Sequence, residues 1–169
     1  MSDQPQLSPT PILPSALQAA IEAHLIGEGW KYTVEPSPAG VTTIVRLWNR
    51  TVTFQLEYST HERMGRVLLQ LVPDLPSYHS HRGEVALLLC WINAYLHCTA
   101  FHLVPGRSEI RLRICLAGDL EQQVDADTLH RATDLAVRIA TGYAPIIREV
   151  ALGKATAEQV IPRLADPWS

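Results

Sequence analysis

The sequence predicts an α+β domain built on an antiparallel sheet, in the order α-β-β-β-α-β-β-α, and three observations lead there. Residues 41–58 and 109–117 alternate apolar and polar side chains, as half-buried strands do. Segments starting near Ser15 and near Asp125 space their apolar residues three and four apart, as amphipathic helices do. Between them, Val85 to Leu96 reads Val-Ala-Leu-Leu-Leu-Cys-Trp-Ile-Asn-Ala-Tyr-Leu, with Asn93 its one strongly polar side chain. A helix apolar all round has no solvent side, and this one falls short of the roughly 20 apolar residues that cross a bilayer, so it is expected at the centre of the fold.

Size and composition fit one domain over residues 15–169. The chain has 169 residues, 47% hydrophobic and 18% charged, which is enough for one self-sufficient core and too little for two. The formal net charge is −3 and no Lys/Arg run occurs, so general nucleic-acid binding is not expected. Cys90, Cys98 and Cys115 make no paired framework, and the N-terminus has neither a basic region nor an apolar run behind it. These features predict a reduced, cytoplasmic protein with no membrane association.

Residues 1–14 hold four prolines among Ser, Gln and Thr, a mixture expected to form a disordered tail. Ser15 is the predicted N-cap of the first helix, with Leu17, Ile21 and Leu25 on its buried face and Gly27 and Gly29 ending it. Lys31 to Glu35 has the composition of a short strand, interrupted by Pro36-Ser-Pro-Ala-Gly40. A two-residue turn at Asn49-Arg50 would set Leu47 against Val52, Val45 against Phe54 and Thr43 against Leu56 on a buried face. A third strand, Gly65 to Val72, turns Val67, Leu69 and Leu71 the same way.

Beyond the central helix, Pro105-Gly106 predicts a type II turn between Ala100–Val104 and Glu109–Ala117. That register pairs Leu103 with Ile110 and Phe101 with Leu112 inside, His102 with Arg111 and Ala100 with Arg113 outside. Asp125 or Asp127 caps a helix carrying Leu129, Ala132, Ala136, Ile139 and Tyr143, which Pro145 is expected to break. One or two short helices then close the chain over Ile146–Leu152 and Thr156–Leu164.

Several side chains invite a chemical reading. His79 and His81, two apart in an extended segment, can share a metal ion if His61, Glu62, Glu84 or Asp74 supplies a third ligand; a solvated loop is the simpler expectation. Cys90, His97 and Cys98 lack the spacing of a nucleophile–base pair, and no nucleotide, zinc-protease or hydrolase motif occurs. No catalytic residue, metal ligand or cofactor is therefore assigned. Asn93 must find partners in an apolar helix and is expected to bond backbone at a strand end. The outer sheet face is the best positive sign. Ile44, Trp48, Leu68 and Val72 fall where solvent should be, interleaved with Arg46 and Gln70 and continued by Arg111 and Arg113. Ile44, Arg46, Trp48, Leu68, Gln70, Arg111 and Arg113 are the predicted partner-binding residues.

The order of elements resembles the YbjN family, whose fold is similar to that of type III secretion chaperones. The resemblance covers roughly residues 15–153. It is carried by Gly29-Trp30, Val67 to Val72 running into Pro73, Leu88-Leu89-Cys90-Trp91-Ile92-Asn93, Phe101-x-Leu103, Ile110-x-Leu112-x-Ile114 and the Ala136 to Ile147 helix end. Where the family tends to carry Asp and Gly between its last two strands, this chain has Pro105-Gly106-Arg107-Ser108. The resemblance implies a homodimer that binds an unidentified client or regulatory protein and performs no chemistry, in a chaperone-like or adaptor role. The alternative expectation is a small-ligand or metal-responsive sensor using the His79/His81 loop.

Overall fold

Ser15 opens the first helix, α1 (Ala16–Gly27), its hydroxyl accepting from the Gln18 N–H. The helix ends in a Schellman turn: Gly29, at φ +68°, donates to Ile26 and Trp30 donates to Leu25. The computed structural model describes residues 15–37, 40–49, 52–61, 66–117 and 124–164. The predicted N-terminal tail lies outside them.

Four strands follow, β1 (Tyr32–Ser37), β2 (Gly40–Asn49), β3 (Val52–His61) and β4 (Arg66–Pro73). Then come α2 (Arg82–Tyr95), the hairpin β5 (Ala100–Leu103) and β6 (Ile110–Ala117), the long α3 (Ala126–Ala151) and the short α4 (Ala157–Val160). The strands form one antiparallel sheet in the order β1-β2-β3-β4-β6-β5. The fold is thus α+β, with one strand more before α2 than the predicted order. β1 runs through Pro36 because it is an edge strand, where a missing N–H leaves no ladder bond unmade.

The first hairpin pairs Asn49 with Val52, Leu47 with Phe54, Val45 with Leu56 and Thr43 with Tyr58. The register is two residues from the expected one, and Arg50 of the predicted Asn49-Arg50 turn lies outside the described residues. A shift of two preserves the side-chain alternation, so the predicted buried face survives. The second hairpin has the predicted register: Leu103 pairs with Ile110 and Phe101 with Leu112, Gly106 sits at φ +73°, and Arg107 donates to Val104 across the turn.

Helices cover the inner face. α1 reaches β2 where Gln18 Nε2 donates to Thr43 Oγ1 at 3.2 Å, and α3 reaches β3 where Tyr58 Oη meets Thr133 Oγ1 at 2.8 Å. Phe54, Leu56, Val67, Leu69, Leu71 and Leu112 form the floor, buried beneath Ile21, Leu25, Leu129, Ala136, Ala140 and Ile147.

α3 crosses Pro145 without ending, contrary to expectation. An interior proline costs roughly 3 kcal/mol. Burying Ile147 and Val150 beyond it recovers about 1.5–3 kcal/mol each, so the continuous helix wins. Asp125 is the N-cap, accepting from the Thr128 N–H at 2.8 Å.

α2 corrects a second expectation. It is not enclosed: Val85, Leu88, Leu89 and Ile92 are buried on one side, while Leu87 and Tyr95 are 48% and 45% exposed on the other. Uniform composition hid an ordinary one-sided seat. Among the described residues no helix is long and apolar enough to cross a membrane.

Candidate functional site

The outer face of the sheet has no helix over it among the described residues, and the antiparallel register gathers most of the predicted partner-binding residues there. One row across the strands reads Ile44, Glu57, Gln70, Arg113; a second reads Arg46, Gln55, Val72; a third reads Thr42, Ser59, Leu68, Cys115. Ile44 and Leu68 are half-buried and Arg46 is exposed. Trp48 pairs with Thr53 in the ladder, and its side chain lies outside what the structure describes.

Gln70 differs from expectation in being buried. Its Oε1 accepts from Arg111 Nη1 at 3.2 Å and from Arg113 Nε at 2.9 Å. Arg111 also pairs with Glu57 at 3.0 Å and with Glu109, and Gln55 Nε2 donates to Glu57 Oε1 at 2.8 Å. Gln70, Arg111 and Arg113 therefore form a pre-ordered polar ladder rather than loose contact groups. Beside it lie two shallow grooves of about 430 and 690 Å³ that meet at Arg46 and Gln55.

The exposed side of α2 is the second surface. Leu87, Cys90, Trp91, Ala94 and Tyr95 fall at helical spacing, and the Trp91 and Tyr95 rings lie 4.6 Å apart between centroids. Cys90 and Cys98 are exposed free thiols, as is Cys115 on β6.

The His79/His81 loop does not assemble a ligand set among the described residues. The two histidines form a 3-10 turn, and the His81 ring lies over Gly153, so close that a Cβ there would stand 2.4 Å from Nε2. Glu84, one proposed third ligand, instead accepts from the Ala157 N–H at 2.7 Å and fastens α4 to α2. Glu62 lies outside the described residues.

A different cluster went unrecognised in the sequence. His24 on α1, Glu28 at its C-cap and His130 on α3 each offer a ligand atom, all within 4.8 Å of one another. His24 is buried, its Nε2 3.4 Å from Tyr58 Oη and 3.5 Å from Thr133 Oγ1. Burial holds its imidazole below the ordinary range, against the pull of the Glu28 carboxylate and with the help of His130. His130 Nδ1 lies 2.8 Å from Glu28 Oε1. A cavity of about 250 Å³ opens beside the three, lined also by Trp30, Leu47, Phe54 and Val137. The one signal in the sequence was the i, i+4 spacing of His24 and Glu28.

Comparison with protein-family models, with curated proteins and with solved structures finds no match to this chain.

Proposed function

We propose that this protein is a cytoplasmic, homodimeric binding module in a chaperone-like or regulatory adaptor role, acting by burying a segment of a partner protein without making or breaking bonds. The observation that carries this reading is the uncovered outer sheet face, where grooves meeting at Arg46 and Gln55 are lined by half-buried Ile44 and Val72, on a face that also carries half-buried Leu68. A rigid polar ladder beside such grooves lowers the ordering cost of binding, because Gln70, Arg111 and Arg113 already hold one geometry. An extended partner segment lying across the strands would meet apolar contacts flanked by the Arg46 guanidinium, a composition typical of interaction hot spots.

The exposed stripe of α2 is assigned to the second copy of the chain. It bears no charge, so a twofold pairing brings no like charges together, and it sets large Leu87 and Tyr95 beside small Ala94 and Cys90. The resemblance to the YbjN family supports a homodimer with a protein partner. Three exposed free thiols support a reducing compartment.

Light scattering with an affinity-capture comparison tests the reading. A dimer mass is expected, together with a partner retained by the wild type and lost by an Ile44→Asp/Arg46→Asp variant that folds normally. A monomer mass sinks the dimer; equal capture by both proteins sinks the outer face as the binding surface.

A further inference from the structure

We propose that His24, Glu28 and His130 form a binding site for a divalent transition-metal ion, with Zn2+ the cation that this donor set fits best. Two imidazole nitrogens and a carboxylate oxygen are a zinc donor set that leaves a fourth position open. The site lies on the helical side of the sheet, opposite the face assigned to the partner, and does not depend on that assignment.

Geometry supplies the argument. His24 and Glu28 are one helical turn apart at the end of α1, and His130 stands across from them on α3. Tetrahedral ligation at about 2.0–2.1 Å brings donor atoms to about 3.4 Å from one another. The three atoms here lie within 4.8 Å, and His130 is already 2.8 Å from Glu28. The remaining closure falls on the exposed side chains, His130 at 54% and Glu28 at 31%, while buried His24 stays fixed.

His24 has the support that a ligand histidine needs. Tyr58 Oη and Thr133 Oγ1 approach its Nε2, and the Trp30 and Tyr58 rings meet it edge-on with centroids 5.8 and 6.0 Å away. A hydrogen-bond partner on the ring nitrogen turned away from the ion orients a ligating ring, and packed aromatic edges limit its rotation. The cavity gives the open position a small chamber, whose apolar wall of Leu47, Phe54 and Val137 admits water or one small donor. Because α1 and α3 each contribute a ligand, a bound ion would tie the two helices together.

Zinc titration of chelator-treated full-length protein, followed by calorimetry and thermal melting, provides the test. One ion per chain and a melting temperature that rises with zinc are expected. His130→Ala and Glu28→Gln, which alter exposed side chains and leave the core intact, should each weaken zinc by more than about 100-fold. That exceeds the 10- to 100-fold that losing an outer hydrogen-bond partner costs, which is the range expected for Thr133→Val. His79→Ala should change nothing. The proposal is overturned if no stoichiometric zinc binds, if both ligand variants bind it like wild type as an ion held by the exposed thiols would, or if His79→Ala abolishes binding. In the first case Glu28 is simply the hydrogen-bond partner of His130.

Discussion

Asn93 and Phe101 are joined as though a side chain were one more strand. Asn93 Nδ2 donates to the Phe101 carbonyl at 2.9 Å, and Asn93 Oδ1 accepts from the Phe101 N–H at 2.8 Å. β5 is an edge strand, and the carboxamide occupies the backbone groups that face away from β6 at Phe101. One residue thus seats α2 and blunts a margin of the sheet.

Asn93→Ala leaves both Phe101 backbone groups without these partners. Since an unpaired buried group costs about 1–3 kcal/mol, a loss of stability in that range is expected in urea unfolding. A loss below a few tenths of a kcal/mol would show that water replaces the amide freely.

Tyr143 carries the opposite expectation. Its hydroxyl is the one buried side-chain polar atom without a hydrogen-bond partner among the described residues, while its ring packs edge-on against Phe101. Tyr143→Phe keeps the ring contact and removes the stranded hydroxyl, so the melting temperature should rise or at least hold; a clear fall would reveal a partner for the oxygen.

Burial raises the phenols of Tyr143 and Tyr78 above the ordinary value of 10.0. A raised folded-state pKa means that the unfolded chain gives up its phenolic proton first. The associated stability is fully present below pH 10 and is lost as pH climbs above it. Unfolding midpoints measured from pH 8 upward should fall beyond pH 10, and less steeply in Tyr143→Phe.

Gly153 closes α3 at φ +67° in a second Schellman turn, donating to Val150 while Lys154 donates to Glu149. Gly153→Ala adds the left-handed backbone penalty of about 1–2 kcal/mol and drives a methyl into the His81 ring. Adding His81→Ala should recover the steric part and leave the backbone part, a difference that a double-mutant cycle measures.

Arg111 and Arg46 separate stability from recognition on one face. Arg111→Ala strips Glu57, whose side chain is only 12% exposed, of its cation and should cost about 1–3 kcal/mol. Arg46→Ala should leave unfolding unchanged within about 0.5 kcal/mol and weaken partner capture. Equal destabilisation by both would place Arg46 in the ladder.

Legibility in the sequence followed how strongly local chemistry constrained each element. Pro105-Gly106 permits one turn geometry, so the second hairpin had its pairing written into it. Asn49-Arg50-Thr51 permits several, and side-chain alternation is blind to a two-residue slide, so the first hairpin had the right face and the wrong partners. Pro145 was misjudged because a local breaking rule met a helix face whose burial outweighs it. The outer-face residues were legible through strand parity; the burial of Gln70 was not, since it depends on two arginines from β6. The His24 cluster was beyond reach because Glu28 and His130 are 102 residues apart and meet only through tertiary packing.

α3 leaves one consequence for how the molecule comes apart. At 1.5 Å per residue, its 26 residues make a rod roughly 39 Å long. It lies against α1, α2, β4 and β6, so no neighbouring helix can lift away while keeping its own footing. Opening should be a single concerted event, with the slowest amide hydrogen exchange shared along this rod and the central strands beneath it.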